Sequence, residues 1–381
     1  MLILRKIHHR REFTLQNKQD SYPSFKEFVP YLQAIGRGQR SGRSLTQNEA
    51  YVAMTLLLEN KITPEQRGAF LMLLRVREET AEEIAGFTQA CRATLPAILT
   101  HNKSPLVDLD IGAYAGKRRQ LPWFLLAIAC LTEQGVKVGM HGTQEPASQR
   151  LYIQSVLAQL SSLIGVDEKP SSNNSSNDVS QRQGNFWQAN TLSDIGSKIK
   201  QSGFVYADLA LLHPQLDELI QLRELFGLRS CANTLARLLN PFNAGHSVQG
   251  VHHKHVDDKH VSVAHLLNDN NVLCFRGEGG EPEVDPSKES VLKFNRQGEQ
   301  QSLLLAPEQR WEVKPKALDV NTLMLVWQGA QLHSYGESTV ISTLAALLML
   351  LQKQSHSAAF MEAKKLWNAR KFKYFIGVDL R

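Results

Sequence analysis

The chain has 381 residues, of which 42% are hydrophobic and 21% charged, with a formal net charge of +6. That composition supports a sizeable core and two domains, and it excludes a disordered polyelectrolyte. No uninterrupted apolar stretch reads as long enough to span a bilayer, so no membrane partner is expected.

At the start, MLILRKIHHRREF places a very short apolar run ahead of its charges, the wrong order for a secretory signal. Cys91, Cys130, Cys231 and Cys274 are scattered without a CxxC pair, which suits free thiols in a reducing cytoplasm. Residues 1–43 carry nine Lys/Arg against three Asp/Glu, and residues 353–381 carry seven against two, so the intervening chain is net acidic. Positive charge gathered this way favours a polyanionic partner; a solvated surface with a frayed tail accounts for it as well.

Residues 1–24 read as a basic flexible arm. From 25 to 100 the pattern is helical. SLTQNEAYVAMTLLLEN offers Ser44 or Thr46 as a cap, with Glu49 three residues after Thr46. TPEQRGAFLMLLRVRE has Thr63 as a cap and Pro64 at the first helical position, and Thr80 with Glu83 repeats the device. A helix from about 205–225 is expected to join this small helical domain. From 105 to 381, apolar runs alternate with helical stretches, which argues a larger α/β domain with a central sheet. SPLVDLDIG, GVKVGMHG and NVLCFRGEGG read as buried strands. QLPWFLLAIACLTEQ and VISTLAALLMLLQK read as buried helices. The polar Ser/Asn-rich stretch over 168–185 reads as a flexible loop.

The segment DIGAYAGKRRQLPWFLLAIACL has the layout of a strand, a glycine turn and a helix N-terminus, where proteins hold phosphates. Lys117, Arg118 and Arg119 follow its second glycine. Cations at a helix N-terminus oppose the macrodipole, so three together imply either an anion that offsets them or a solvated helix start. Arg223, Arg229 and Arg237 lie on or near one further helix, either in salt bridges with Glu218 or Glu224 or at a cleft. NARKFKYF interleaves Arg370, Lys371 and Lys373 with aromatics; it serves either as phosphate contact with stacking or as an amphipathic segment with core aromatics. The histidines between His252 and His265 lack metal-helix spacing and suit a polar helix start that charges in mild acid. No GxSxG, Walker A loop or paired Cys–His arrangement occurs, so no catalytic residue and no metal ligand is assigned.

The string LTQNEAYVAMTLLLENKITPEQRGAFLMLLRVREETAEEIAGFTQACR resembles the N-terminal helical domain of anthranilate phosphoribosyltransferases. The likeness continues through MHG, LALLHPQLDELIQLRELFGLRSCANTLARLLNP and RGEGGEPE, over roughly residues 27 to 370. It implies a phosphoribosyltransferase-class, nucleoside-phosphorylase-like fold, a substrate cleft between the two domains and a homodimer through the helical domain.

Within the likeness, the donor-binding Gly-Thr-Gly-Gly-Asp loop corresponds to Gly112-Ala113-Tyr114-Ala115-Gly116. Two glycines survive, a phenol intrudes, and the following acidic position is Lys117. The Lys-His-Gly-Asn segment corresponds to Met140-His141-Gly142-Thr143, and the Mg²⁺-binding Asp-Glu pair to the run containing Glu278, Glu281 and Glu283, broken by Pro282. These departures resemble the TrpD-like, YbiB-type branch, whose members are associated with sequence-independent binding of DNA and RNA as dimers.

The resemblance therefore implies phosphate contact by Lys117, Arg118, Arg119, Arg223, Arg229, Gly112 and Gly116 in one basic groove. It leaves a residual donor site at His141, Gly142, Glu278, Glu281 and Glu283. No cofactor is expected. The alternative is a phosphoribosyl or glycosyl transferase with a pyrophosphate-activated donor, a non-anthranilate acceptor and Mg²⁺.

Overall fold

The computed structural model describes residues 25–380 apart from 39, 101–103, 146–147, 166–184, 314 and 316. The expected basic arm over 1–24, and all of the expected 168–185 loop but its last residue, lie outside the described residues.

Helices Phe25–Gly36, Gln47–Leu58, Pro64–Arg77 and Ala81–Ala93 form the N-terminal unit. Thr46, Thr63 and Thr80 each accept the amide three residues on, while Glu49, Gln66 and Glu83 reach back to the cap amides. Of the two possible starts, Thr46 is the one used. Each such cap contributes about 1 kcal/mol. Inside, the rings of Phe28 and Phe70 meet edge-on at 5.1 Å, and those of Phe70 and Phe87 at 5.9 Å.

The chain returns to this core later. Leu209, Leu216, Ile220 and Leu235 pack in the same apolar cluster. The segment expected to be one helix over about 205–225 in fact begins as a strand, β3 (Phe204–Asp208); the returning helices are Leu209–Leu212 and Pro214–Gln221, with two further short turns. The apolar run of β3 is buried on both faces of the sheet, and Asp208 caps the turn that follows it.

The α/β unit is built on a seven-stranded sheet of order β3-β2-β1-β4-β5-β6-β7. Its members are β1 (Leu109–Gly112), β2 (Val138–Gly142), β3, β4 (His246–Val251), β5 (Asn271–Arg276), β6 (Ser290–Arg296) and β7 (Glu299–Leu305). The first five are parallel, and β5-β6-β7 continue antiparallel, so the sheet is mixed.

Helix Ser334–Gln352 is 19 residues long and, by length and composition, apolar enough to cross a membrane. This corrects the expectation that no stretch is long enough. Its most apolar window is 78% buried, because it packs in the main core beside helix Phe124–Glu133.

Candidate anion-binding cleft

Strand order reverses at β1, which pairs with β2 on one side and β4 on the other. In open α/β sheets such a switch opens a crevice beyond the carboxyl ends of the strands. Three segments leave the sheet there: 113–123 after β1, His252 and its neighbours after β4, and 277–285 after β5.

The turn after β1 needs glycine at its second bend. Gly116 has φ +66°, and a Cβ there would lie 2.9 Å from the Arg150 Cβ. The turn aims a row of amides into the crevice, and that row is already bonded. Glu281 Oε1 accepts from Ala115 N at 2.5 Å and Gly116 N at 2.6 Å. Glu278 Oε1 accepts from Arg118 N at 3.1 Å and Arg119 N at 2.6 Å. Glu283 Oε2 accepts from Phe124 N at 2.9 Å, at the start of helix Phe124–Glu133. The chain's own carboxylates thus sit where an external phosphate was expected. Burial pushes the Glu281 carboxyl above its ordinary value, against the Gly116 and Ala115 amides and the Arg237 guanidinium, which favour its charged form.

Two expectations about Lys117 are corrected here. The helix starts at Phe124, so residues 117–119 do not form its first turn and the macrodipole does not oppose them. The Lys117 side chain is 1% exposed, with its ammonium 2.5 Å from Glu283 Oε1 and 3.3 Å from Glu278 Oε2. Burial lowers its pKa, but Glu283 and Glu278 outweigh that and hold it above the ordinary lysine value. A lysine used up in this way cannot contact a nucleic-acid phosphate.

Most of the expected residual donor site is enclosed as well, although Glu278 and Glu283 border an open pocket. Tyr114 is buried, and its hydroxyl lies 2.5 Å from His141 Nδ1, while His141 Nε2 lies 3.2 Å from Asp110 Oδ2. This chain of polar groups resembles a proton relay, but all three side chains are enclosed. At Gly142 a Cβ would lie 2.3 Å from the Ala113 carbonyl oxygen, so this glycine serves close packing of the turn. Gly112 is similarly backed by the Arg237 Cα at 3.3 Å. The acidic run does not fit Mg²⁺ as arranged. Its oxygens are committed to amides and to the Lys117 ammonium, and only Glu281 Oε2 is without a partner among the described residues.

The expected single groove is divided. Arg223 and Arg229 both pair with Glu145, which is 7% exposed, and neither pairs with Glu218 or Glu224. Glu218 instead meets Arg67 at 2.9 Å. Arg237 is enclosed and donates to the Asn233 carbonyl at 2.5 Å; burial brings it down to about 10.

Arg118 and Arg119 line an open pocket of about 530 Å³ together with Arg150, Arg276 and Lys288, and the carboxylates of Glu278, Glu283, Asp285, Glu289 and Glu312 line it too. Arg150 and Arg276 were not singled out from the sequence, since no local pattern distinguishes them. Among the described residues, Arg118, Arg119, Arg150 and Arg276 form no ion pair with a carboxylate; Arg150 donates to the carbonyls of Ala115 and Gly116. The two regions remain electrostatically joined. Arg150 and Arg223 are both lowered, first by burial and then by repulsion from Arg229 and Arg118.

The other conspicuous stretches are structural. His260 is buried against Gln249 Oε1 at 2.9 Å, and burial brings it down to about 3, so it does not charge in mild acid as expected of that stretch. No group of three or more metal-ligating side chains occurs among the described residues. In the C-terminal stretch, Arg370 stacks on Trp367 at 3.6 Å, Phe375 is fully buried and Tyr374 half-buried, while Phe372 stays exposed, so only part of the aromatic set is core.

Residues 29–95 match the helical bundle domain of the glycosyl transferase family. The chain is 28% identical over 323 residues to the anthranilate phosphoribosyltransferase of Dehalococcoides mccartyi, covering 82% of this chain and 86% of that one. It is 27% identical over 277 residues to that of Symbiobacterium thermophilum, covering 73% of each. The anthranilate phosphoribosyltransferase structure from Thermus thermophilus superposes with a TM-score of 0.65 at 21% identity, covering 88% of this chain and 93% of the other. The helical bundle, the mixed sheet and these relatives together make the chain similar in sequence and in fold to anthranilate phosphoribosyltransferases.

Proposed function

We propose that this protein binds DNA and RNA through phosphate, with little sequence preference, as a homodimer, and does not transfer phosphoribose to anthranilate. The observation that carries the reading is the occupied turn. Amides that would cradle pyrophosphate already hold Glu278, Glu281 and Glu283, while Arg118, Arg119, Arg150 and Arg276 face an open pocket without carboxylate partners. Arginines on an open surface suit a strand that passes through, where phosphates rather than base edges dominate.

Oligonucleotides of unrelated sequence, in DNA and RNA form, are titrated at several salt concentrations. Comparable affinities that fall with salt support the reading. The paired variant Arg118→Ala/Arg119→Ala flattens the slope of log affinity against log salt by roughly 1.4–1.8, at about 0.7–0.9 per phosphate contact. No shift of any oligonucleotide at low salt overturns it.

A second reading is a transferase using a pyrophosphate-activated sugar donor with another acceptor, and the comparisons favour it over nucleic-acid binding, because the named relatives are transferases. It requires the 277–285 segment to leave the turn when donor arrives. Pyrophosphate release that depends on both donor and acceptor would establish it.

A further inference from the structure

We propose that the pocket beside Arg118 and Arg119 is a base-stacking subsite for a single-stranded segment, with the Trp311 indole as its platform; this rests on the nucleic-acid reading above. Of the five tryptophans, Trp123, Trp187, Trp327 and Trp367 are at most 1% exposed, whereas Trp311 is 61% exposed. Leaving so large an apolar ring in water is unfavourable unless something covers it.

The chain just before it is held. The Glu308 and Gln309 amides both donate to the Pro286 carbonyl, and the hydroxyls of Ser334 and Ser338 reach Gln309 Oε1 at 3.3 and 3.1 Å. Two residues beyond this anchor, Trp311 lines the same pocket as Arg118, Arg119, Arg150 and Arg276. Glu278, Glu283, Asp285, Glu289 and Glu312 line the pocket as well, but Glu278 and Glu283 are engaged by Lys117 and backbone amides and Asp285 by Lys288. An exposed ring beside guanidinium groups that form no ion pair provides the two contacts a strand needs: a flat apolar face for a base and cations for the phosphates on either side. Stacking of this kind accepts any base, which agrees with recognition that is indifferent to sequence. The pocket volume, about 530 Å³, lies within the range of sites for small organic ligands.

The placement supplies its own probe, because Trp311 is the tryptophan that a ligand in solution can reach. Intact protein is titrated with oligothymidylate and, separately, with inorganic polyphosphate, while tryptophan emission and gel mobility are both recorded. Oligothymidylate is expected to lower the emission along the binding curve, and polyphosphate to compete for the protein without that change. Trp311→Leu is expected to remove the emission change and weaken oligothymidylate binding by roughly tenfold or more, with the salt slope unaltered. Because the ring is exposed, the variant keeps its fold, which circular dichroism verifies. Binding with unchanged emission, or undiminished affinity in Trp311→Leu, overturns the stacking subsite and leaves phosphate binding in place. Absence of any oligonucleotide shift removes both.

Discussion

The carboxylate of Glu281 lies 2.6 Å from the amide nitrogen of Gly116, inside the turn that follows the first strand. The two residues are separated by 165 positions in the chain. With Ala115 N on the same oxygen, the side chain acts as an internal anion for a loop whose amides converge.

Removing that anion strands two buried amides. Glu281→Ala is expected to destabilise the protein by about 2–4 kcal/mol. Sodium formate, which can return a carboxylate to the gap, should raise the melting temperature of the variant relative to an equal concentration of sodium chloride and leave the native protein unaffected. A variant as stable as the native protein would show that these amides have another partner.

Lys117 and its neighbours should separate cleanly. Lys117→Met breaks a buried pair with Glu283 and is expected to cost about 3–5 kcal/mol by denaturant titration. In whatever fraction remains folded, the salt dependence of oligonucleotide binding stays as in the native protein. Arg118→Ala/Arg119→Ala is expected to do the reverse, leaving stability within about 0.5 kcal/mol and flattening the salt slope. A flattened slope for folded Lys117→Met would place that ammonium in contact with phosphate.

The homodimer is expected through the helical unit. Val76, in the last turn of helix Pro64–Arg77, is 82% exposed, and Leu225, in a turn packed on that unit, is 81% exposed. Apolar side chains left this open suit a partner surface. Light scattering of the intact protein should give twice the chain mass, and Val76→Asp should shift it toward one. A single-chain mass at micromolar concentration rules the dimer out.

Acid stability should follow His260. Burial brings its imidazole from an ordinary 6.5 down to about 3, so the unfolded chain takes up a proton there that the folded chain refuses. Stability from this site is whole above pH 6.5 and declines as the pH falls toward about 3, reaching a loss of about 2 kcal/mol at pH 5. His260→Asn is expected to lower stability at neutral pH yet reduce the acid slope by about one proton. An unchanged slope between pH 6.5 and 4 would exclude His260 as its source.

What the sequence determined is the part governed by neighbours along the chain. The three threonine caps, Pro64 at a first turn, and the apolar runs of β1, β2 and β5 are local patterns, and each lies where those patterns put it. The glycine turn was legible for the same reason, because φ +66° at Gly116 is a local demand. What fills the turn was not. Lys117 and Glu283 stand 166 residues apart, and Arg229 and Glu145 stand 84 apart. Their side chains meet because strand order brings the ends of β1 and β5 to one crevice and folds the returning helices over it. A charged residue reads the same in sequence whether it faces water or a buried partner. Only the packing, which took Lys117 out of solvent and left Arg118 and Trp311 in it, decided which charges remain open to a ligand.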